Sequence, residues 1–560
     1  MRIVYSFLKI IFPLLIFTAC RPIAGKAQAP SKKDQETAQL KIAQHWVDSV
    51  YQSLNEEERI GQLFMIAAYS GGDNFNQDQV EKLLTAHQIG GLIFMQGTPE
   101  AQARLTNRYQ KLAQIPLLIG MDAEWGLGMR LTGVQNFPQQ MTLGATGDTA
   151  LMYAIGQAIA TQCKRLGVHV NFAPVVDVNN NPANPVINFR SFGENKVLVA
   201  QMGIAYMRGL QDNGIMACAK HFPGHGDVAT DSHLDLPVIK KSLTDLKATE
   251  FYPFQKLSDA GVQSMMIAHL SVPALDQTAH LPTTLSKRVV TDLLRNEIGF
   301  QGLIFTDALN MKGVTKYFPD GETDVRAFLA GNDVLLFSQN VPLAIKKIKE
   351  AVAVGKTDMQ HLEQSVKRIL MAKYRAGLST PVTIEESGVT AALNKDIAAL
   401  WNQTARSAIT IAQNSNNLAG GLKAGSNIAY VTLGNSSNPE IIDRLKANGM
   451  KVSMVNAGMI MSIADRYDAV IVGVHRINKY PGKSGSYGIS AAQIAQLKQL
   501  SELKQVIIVY FGNAYTLKYS CKAPTVLVAY EDNTYTQNAV ADILTGNIKA
   551  NGQLPVTVCQ

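Results

Sequence analysis

Met216-Ala-Cys-Ala-Lys220-His221-Phe-Pro-Gly-His225-Gly-Asp-Val-Ala-Thr-Asp231-Ser-His233 joins an apolar run to a charged, glycine-broken loop. Met216–His221 reads as a buried strand. Pro223 then removes a donor, and Gly224 and Gly226 disfavour helix, so a loop runs on to Asp231-Ser232-His233. Three histidines, two aspartates and a lysine fall between Lys220 and His233. An Asp two residues before a His can bond one ring nitrogen and leave the other for proton transfer. The stretch therefore reads as a strand that delivers a catalytic arrangement on a loop able to move.

The same unit recurs on either side. Apolar runs at Ile60–Ala67, Ile89–Met95, Pro116–Asp122, Val170–Asp177, Met216–His221, Ser264–Leu270, Gly302–Asp307 and Asp333–Phe337 alternate with amphipathic stretches such as Ala150–Leu166 and Lys196–Asn213. Near-continuous apolar strands between helices indicate a parallel sheet covered on both faces, and eight such units indicate a closed (β/α)8 barrel. A doubly wound sheet would want a glycine-rich nucleotide loop after an early strand, and none is found. Barrel chemistry sits at the carboxyl ends of strands. Those ends carry Asp122, Asp177, Lys220 with His221, His269 and Asp307. Any one strand-end Asp serves equally well as a helix cap. Their gathering at one end points to a shared site.

The barrel pattern spans residues 40–380. A polar connector and a helix near Ile397–Ile409 occupy 381–424, and Gly420–Ser426 marks the boundary to a smaller α/β sandwich over 425–560. Its strands read as Asn427–Leu433, Lys451–Val455, Ala469–Val474, Gln505–Tyr510 and Thr525–Ala529.

The 560 residues exceed what one core supports. Lys+Arg of 52 against Asp+Glu of 44 gives +8, without the arginine runs or interleaved aromatics of a nucleic-acid binder. Residues 1–29 read as an export leader: Arg2 and Lys9 precede an apolar run, Ile10–Ala19, shorter than the roughly 20 residues of a membrane helix. Phe17-Thr18-Ala19-Cys20 resembles a relaxed lipobox that would leave Cys20 lipidated, whereas Ala27-Gln28-Ala29 suits ordinary cleavage. Either way the expected address is periplasmic or envelope-anchored. Cys163, Cys218, Cys521 and Cys559 are too few and scattered for a disulfide framework, so buried free thiols are expected. Cys521–Cys559 is the one pair to check.

Lys220–His233 and Leu303-Ile-Phe-Thr-Asp307-Ala-Leu-Asn-Met311 resemble family-3 glycoside hydrolases, more narrowly their bacterial β-N-acetylglucosaminidase branch. The resemblance is strong over roughly 45–380, and Gly552–Val558 resembles the second domain of two-domain members. It implies that Asp307 is the nucleophile, His233 the acid/base and Asp231 its partner. It further implies that Lys220, His221, Asp122, Arg130 and Arg190 bind sugar, with Asp122 gripping the far hydroxyls. Where many relatives carry Asp-x-Glu-Gly-Gly, this chain has Asp122-Ala-Glu-Trp125-Gly, so an indole reshapes the pocket wall or the leaving-group side.

Retaining glycosidases generally use two carboxyl groups about 5 Å apart; here the second role passes to an imidazole that Asp231 makes more basic. The resulting expectation is an exo-acting, monomeric β-N-acetylglucosaminidase, needing no cofactor or metal, that trims terminal sugars from peptidoglycan fragments or related glycans. Phosphorolysis and β-glucosidase action within the same family stay open. A metal site built from His221, His225, Asp227 and His233 lacks the rigid spacing zinc wants. Trp46 and Trp401 lie off the strand ends and read as core or interface residues.

Overall fold

In a computed structural model, residues 32–229, 235–380, 382–434 and 439–559 are described. The leader with Cys20, and Asp231 and His233, lie outside them. The first sheet has eight strands: β1 Phe64–Ser70, β2 Gly91–Gly97, β3 Leu118–Met121, β4 Val170–Asn171, β5 Met216–Phe222, β6 Ser264–Ile267, β7 Leu303–Thr306 and β8 Leu335–Leu336. All neighbours run parallel, in the order β7-β6-β5-β4-β3-β2-β1-β8. A Phe305–Val334 bridge, with the Thr306 N–H donating to the Val334 carbonyl at 3.0 Å, brings β7 to the segment leading into β8. This is a TIM-like barrel.

The barrel interior explains why the strands are apolar throughout. All seven positions of β5 are buried. Phe172 meets Phe305 edge-on at 5.2 Å across the middle. Gly120 on β3 must lack a side chain, because a Cβ there would lie 2.7 Å from the Phe172 ring. That close approach holds β3 against the barrel core two residues before Asp122.

Several strand boundaries differ from the sequence reading, two of them for a visible reason. Ile60 belongs to a helix, Glu56–Gly61, fixed by an Asn55–Glu58 capping box, and β1 begins only at Phe64. The fourth strand is regular over Val170–Asn171 alone. Pro174 interrupts it, and the chain rejoins its neighbour at the Val175–Lys220 bridge.

The second sheet has six strands in the order β11-β10-β12-β13-β14-β9, with β9 Thr410–Asn414, β10 Asn427–Gly434, β11 Lys451–Met454, β12 Ala469–His475, β13 Val506–Tyr510 and β14 Thr525–Val528. Both faces are covered: Val431 and Val472 pack on one side, Ile428 and Ile471 on the other. β9 runs antiparallel to β14 and comes from the stretch read as linker and connecting helix. The second sheet thus starts before the glycine-rich Gly420–Ser426 segment.

The free-thiol expectation holds for Cys163 and Cys218, which are buried. It fails for the other pair, since Cys521 and Cys559 form a disulfide. The bond ties the end of the chain beside β13 and β14, where Thr557 also pairs with Glu194 of the barrel.

The two units share apolar contacts. Trp125, Met141 and Phe189 of the barrel sit in one cluster with Tyr487, Tyr515 and Val556 of the second domain. Trp401 stacks on Tyr535 at 5.6 Å while its Nε1–H donates to the Asn136 carbonyl at 2.7 Å, an interface role. Trp46 packs on Tyr374 at 5.7 Å.

Candidate active site

A cavity of about 370 Å3 opens at the carboxyl ends of the barrel strands. It collects Asp122, Arg130, Arg190, Lys220, His221 and Asp307 from segments that are remote in sequence. Asp122 follows β3, Lys220 and His221 end β5, and Asp307 follows β7. Arg130 and Arg190 arrive on short 3-10 turns, Leu127–Met129 and Asn188–Arg190.

Five charged groups form a continuous chain. The Arg130 Nη2–H donates to Asp122 Oδ2 at 2.7 Å, and Lys220 Nζ donates to Asp122 Oδ1 at 2.8 Å. The same ammonium lies 2.9 Å from Glu124 Oε1. Arg190 grips Glu124 with both ends of its guanidinium, at 2.6 and 2.9 Å. Glu124 was not singled out from sequence. It sits two residues past a strand-end aspartate, and only the fold shows that it bridges Lys220 and Arg190.

This pairing is what makes the burial tolerable. Burial pushes the Asp122 and Glu124 carboxyls upward, but Lys220 with Arg130, and Arg190 with Lys220, outweigh it; Asp122 ends far below the usual carboxylate range and Glu124 falls to about 2. Burial lowers the Lys220 ammonium, yet Asp122 and Glu124 leave it above its ordinary value. Arg190 is likewise carried upward by Glu124 against burial. Asp122, Glu124, Lys220 and Arg190 therefore stay charged, and all of them line the cavity beside Arg130.

His221 is fixed from behind. Its Nδ1–H donates to Asp177 Oδ2 at 2.8 Å, and Asp177 also accepts the His225 backbone N–H at 2.7 Å. The carboxylate thus orients the imidazole and ties down the start of the following loop. Burial opposes ionisation of Asp177, but the charge and hydrogen bond of His221 bring it below its usual value. Gly226 in that loop presses against the Val178 carbonyl, which a Cβ would strike. His225 packs edge-on to His221 at 5.8 Å, and burial, aided by the His221 charge, lowers its imidazole to about 4.

Among the described residues, Asp307 is the cavity carboxylate with no Lys or Arg within ion-pair distance. Its Oδ1 accepts from the Ala308 N–H at 2.8 Å. Burial raises the carboxyl, while His269, His221 and Lys220 pull it below its ordinary range, so it is ionised. His269 does not line the cavity. It is fully buried, bonded to Thr284 Oγ1 at 2.7 Å and donating Nε2–H to the Ala308 carbonyl at 3.0 Å. Its place is behind Asp307, holding the peptide that follows. Among the described residues no group of three or more His, Cys, Asp or Glu is arranged to hold a metal ion.

The remaining wall is apolar, with Met95, Met129 and Met311 beside Trp125 and Tyr480, and Phe189 backs these two rings. Trp125 and Phe189 lie 5.8 Å apart, and Tyr480 of the second domain meets Phe189 at 4.9 Å. An ionised carboxylate opposite a rim of charged donors, beside an apolar wall, suits a small polyhydroxylated ligand with one apolar face.

Fold and cavity define a two-domain barrel protein with an acid-lined site at the strand ends. The chain belongs to glycosyl hydrolase family 3, whose N-terminal domain profile matches residues 55–372. It is 34% identical over 334 residues to beta-hexosaminidase A of Pseudoalteromonas piscicida, covering 53% of this chain and 55% of that protein, so it spans about half that relative's length. It is 29% identical over 375 residues to a beta-N-acetylglucosaminidase/beta-glucosidase of Cellulomonas fimi, covering 65% of this chain and 66% of the relative. A solved family-3 beta-N-acetylglucosaminidase from Paenibacillus sp. str. FPU-7 superposes with a TM-score of 0.76 at 30% identity, covering 91% of this chain and 100% of the other.

Proposed function

We propose that the protein is an exo-acting, retaining β-N-acetylglucosaminidase that removes terminal β-N-acetylglucosamine from peptidoglycan-derived or related glycans. The observation that carries this reading is Asp307, ionised and among the described residues without a bridging cation, in one cavity with the Arg130–Asp122–Lys220 cluster. In this mechanism Asp307 attacks the anomeric carbon while His233, oriented by Asp231, gives its proton to the departing oxygen. His233 then takes a proton from water, which displaces Asp307 and frees the sugar with retained configuration. Asp122 closes the non-reducing end by accepting sugar hydroxyls. The enzyme acts as an exported monomer, through the leader at 1–29 with or without a lipid at Cys20, where such glycans occur.

The test is a panel of aryl β-glycosides differing at the 2-position, run with and without phosphate. Turnover of the N-acetylglucosaminide well above the glucoside and xyloside, releasing free sugar, is expected. Preference for the glucoside, or sugar phosphate as product, would overturn the reading. The Cellulomonas relative, named for both activities, makes the glucoside the comparison that matters.

A further inference from the structure

One cation reaches the cavity wall from the other domain. Lys479 lies on the loop after β12, with Nζ 5.6 Å from the Trp125 ring centroid and 5.4 Å from that of Phe189. Beyond this wall a second cleft of about 280 Å3 opens between the domains. Lys479, Arg476, Asn478 and Asn513 line it from one side, Gln139 and Thr142 from the other. Trp125 lines the active-site cavity and Lys479 lines the cleft, so the contact of the ammonium with the indole joins the two spaces.

The acids in the cleft are already engaged. Glu531 Oε1 accepts from the Gln139 N–H at 2.9 Å and from Thr142 Oγ1 at 2.7 Å. Burial raises its carboxyl above the ordinary range despite those bonds and the nearby Lys479 charge. Asp532 accepts from the Arg476 N–H at 2.9 Å and Gln537 Nε2 at 2.7 Å, and it lies 3.1 Å from the His475 ring. The Lys479 and Arg476 side chains are different: both residues are exposed, and among the described residues neither has a carboxylate within ion-pair distance. The charge left uncommitted in this cleft is positive.

We propose that Trp125 and Lys479 form the leaving-group side of the site and select β-linked aglycones that carry a carboxylate. The indole offers a flat apolar face to a sugar or aryl ring, and cation–π attraction keeps the ammonium beside it. A carboxylate on that ring meets Lys479 at the exposed rim. The assignment rests on the glycosidase reading above and gives the second domain a part in substrate choice. No covalent step is added.

The experiment uses two aryl β-N-acetylglucosaminides matched in leaving-group acidity, one with a neutral aryl group and one bearing a carboxylate. The ratio of their kcat/KM values is independent of how much enzyme is folded. In the full-length protein the ratio favours the carboxylated substrate and declines as salt is added. Lys479→Met lowers the ratio by about threefold to fivefold, the upper scale of an exposed ion pair, and Lys479→Glu inverts it. A ratio that is the same in the wild type and both variants, or insensitive to salt, overturns the proposal. Should the panel show another sugar to be the substrate, the same pair of aglycones on that sugar gives the same readout, so failure of the sugar assignment and failure of the charge preference remain distinct.

Discussion

Asp307 owes its ionised state to neighbours, not solvent: His269 below, His221 and Lys220 beside it, and the Ala308 N–H on Oδ1. Asp307→Asn keeps the shape and removes the charge. We expect kcat to fall below about one-thousandth of wild type with little change in Tm, as for loss of a covalent nucleophile. Retention of about a tenth of the rate would remove Asp307 from that role. Glu124 belongs to stability as much as to binding. Replacing it by Gln leaves Lys220 and Arg190 short of a counter-charge, which costs about 3 kcal/mol. Its pH signature follows from its lowered value. The unfolded chain takes up this proton near 4.5 and the native protein only near 2, so the stability it confers is complete above 4.5 and lost as pH falls toward 2. Denaturation followed between about pH 5 and pH 3 should show a shallower acid slope in Glu124→Gln than in wild type. Equal slopes would show that the ion chain does not drive acid unfolding.

At the scale of elements, the Cys521–Cys559 bond pins the final segment across a separation of 38 residues. Loop-closure entropy for that length is worth about 4 kcal/mol. Cys559→Ser should lower Tm, and wild type in reductant should match it; identical melting in all three conditions would show that the tail's other contacts suffice. How far such elements could be read from sequence depended on what determines them. The barrel strands announced themselves because both faces are buried, which leaves uninterrupted apolar runs. Ile60 misled for the same reason: one apolar residue is common to a buried helix turn and a strand, and the Asn55–Glu58 capping box decides. β9, Thr-Ile-Ala-Gln-Asn, went unread because it is an antiparallel edge with four half-buried positions out of five. The strand-end charges Asp122, Lys220, His221 and Asp307 were legible, since polar groups ending apolar strands are costly without a purpose. Glu124 and Lys479 were not. One is defined by its two cations and the other by a ring from a different domain, and no spacing encodes either.

For the whole molecule, the second domain completes the site's support. Asn188, which opens the turn bearing Arg190, is bonded to Tyr487 and Asn513, and Tyr515 OH donates to the Asn179 carbonyl. With Trp125, Met141 and Phe189 in the shared apolar cluster, the barrel is not an independent body. A chain ending after residue 380 should aggregate or melt well below the intact protein, which should unfold in a single calorimetric transition. A soluble, fully active barrel fragment would refute this.

The barrel's seam has a consequence for motion. Between β7 and β8 the ring is joined at the Phe305–Val334 bridge, where the Thr306 and Val334 N–H groups donate to the Val334 and Ile304 carbonyls, and beyond it by the Leu309 N–H on the Leu336 carbonyl and the Leu336 N–H on Thr306 Oγ1 at 2.9 Å. β8 itself is two residues long. So short a strand has few ladder bonds to hold it, so amide exchange at Val334 and Leu336, whose N–H groups face β7, should report sub-global openings of lower free energy than those at β1 or β2. The residue that follows this seam on β7 is Asp307. Whatever breathing the cylinder retains is therefore felt first by the carboxylate, and a bound ligand that ties Asp307 to the opposite rim should slow exchange along the seam before it slows exchange anywhere else.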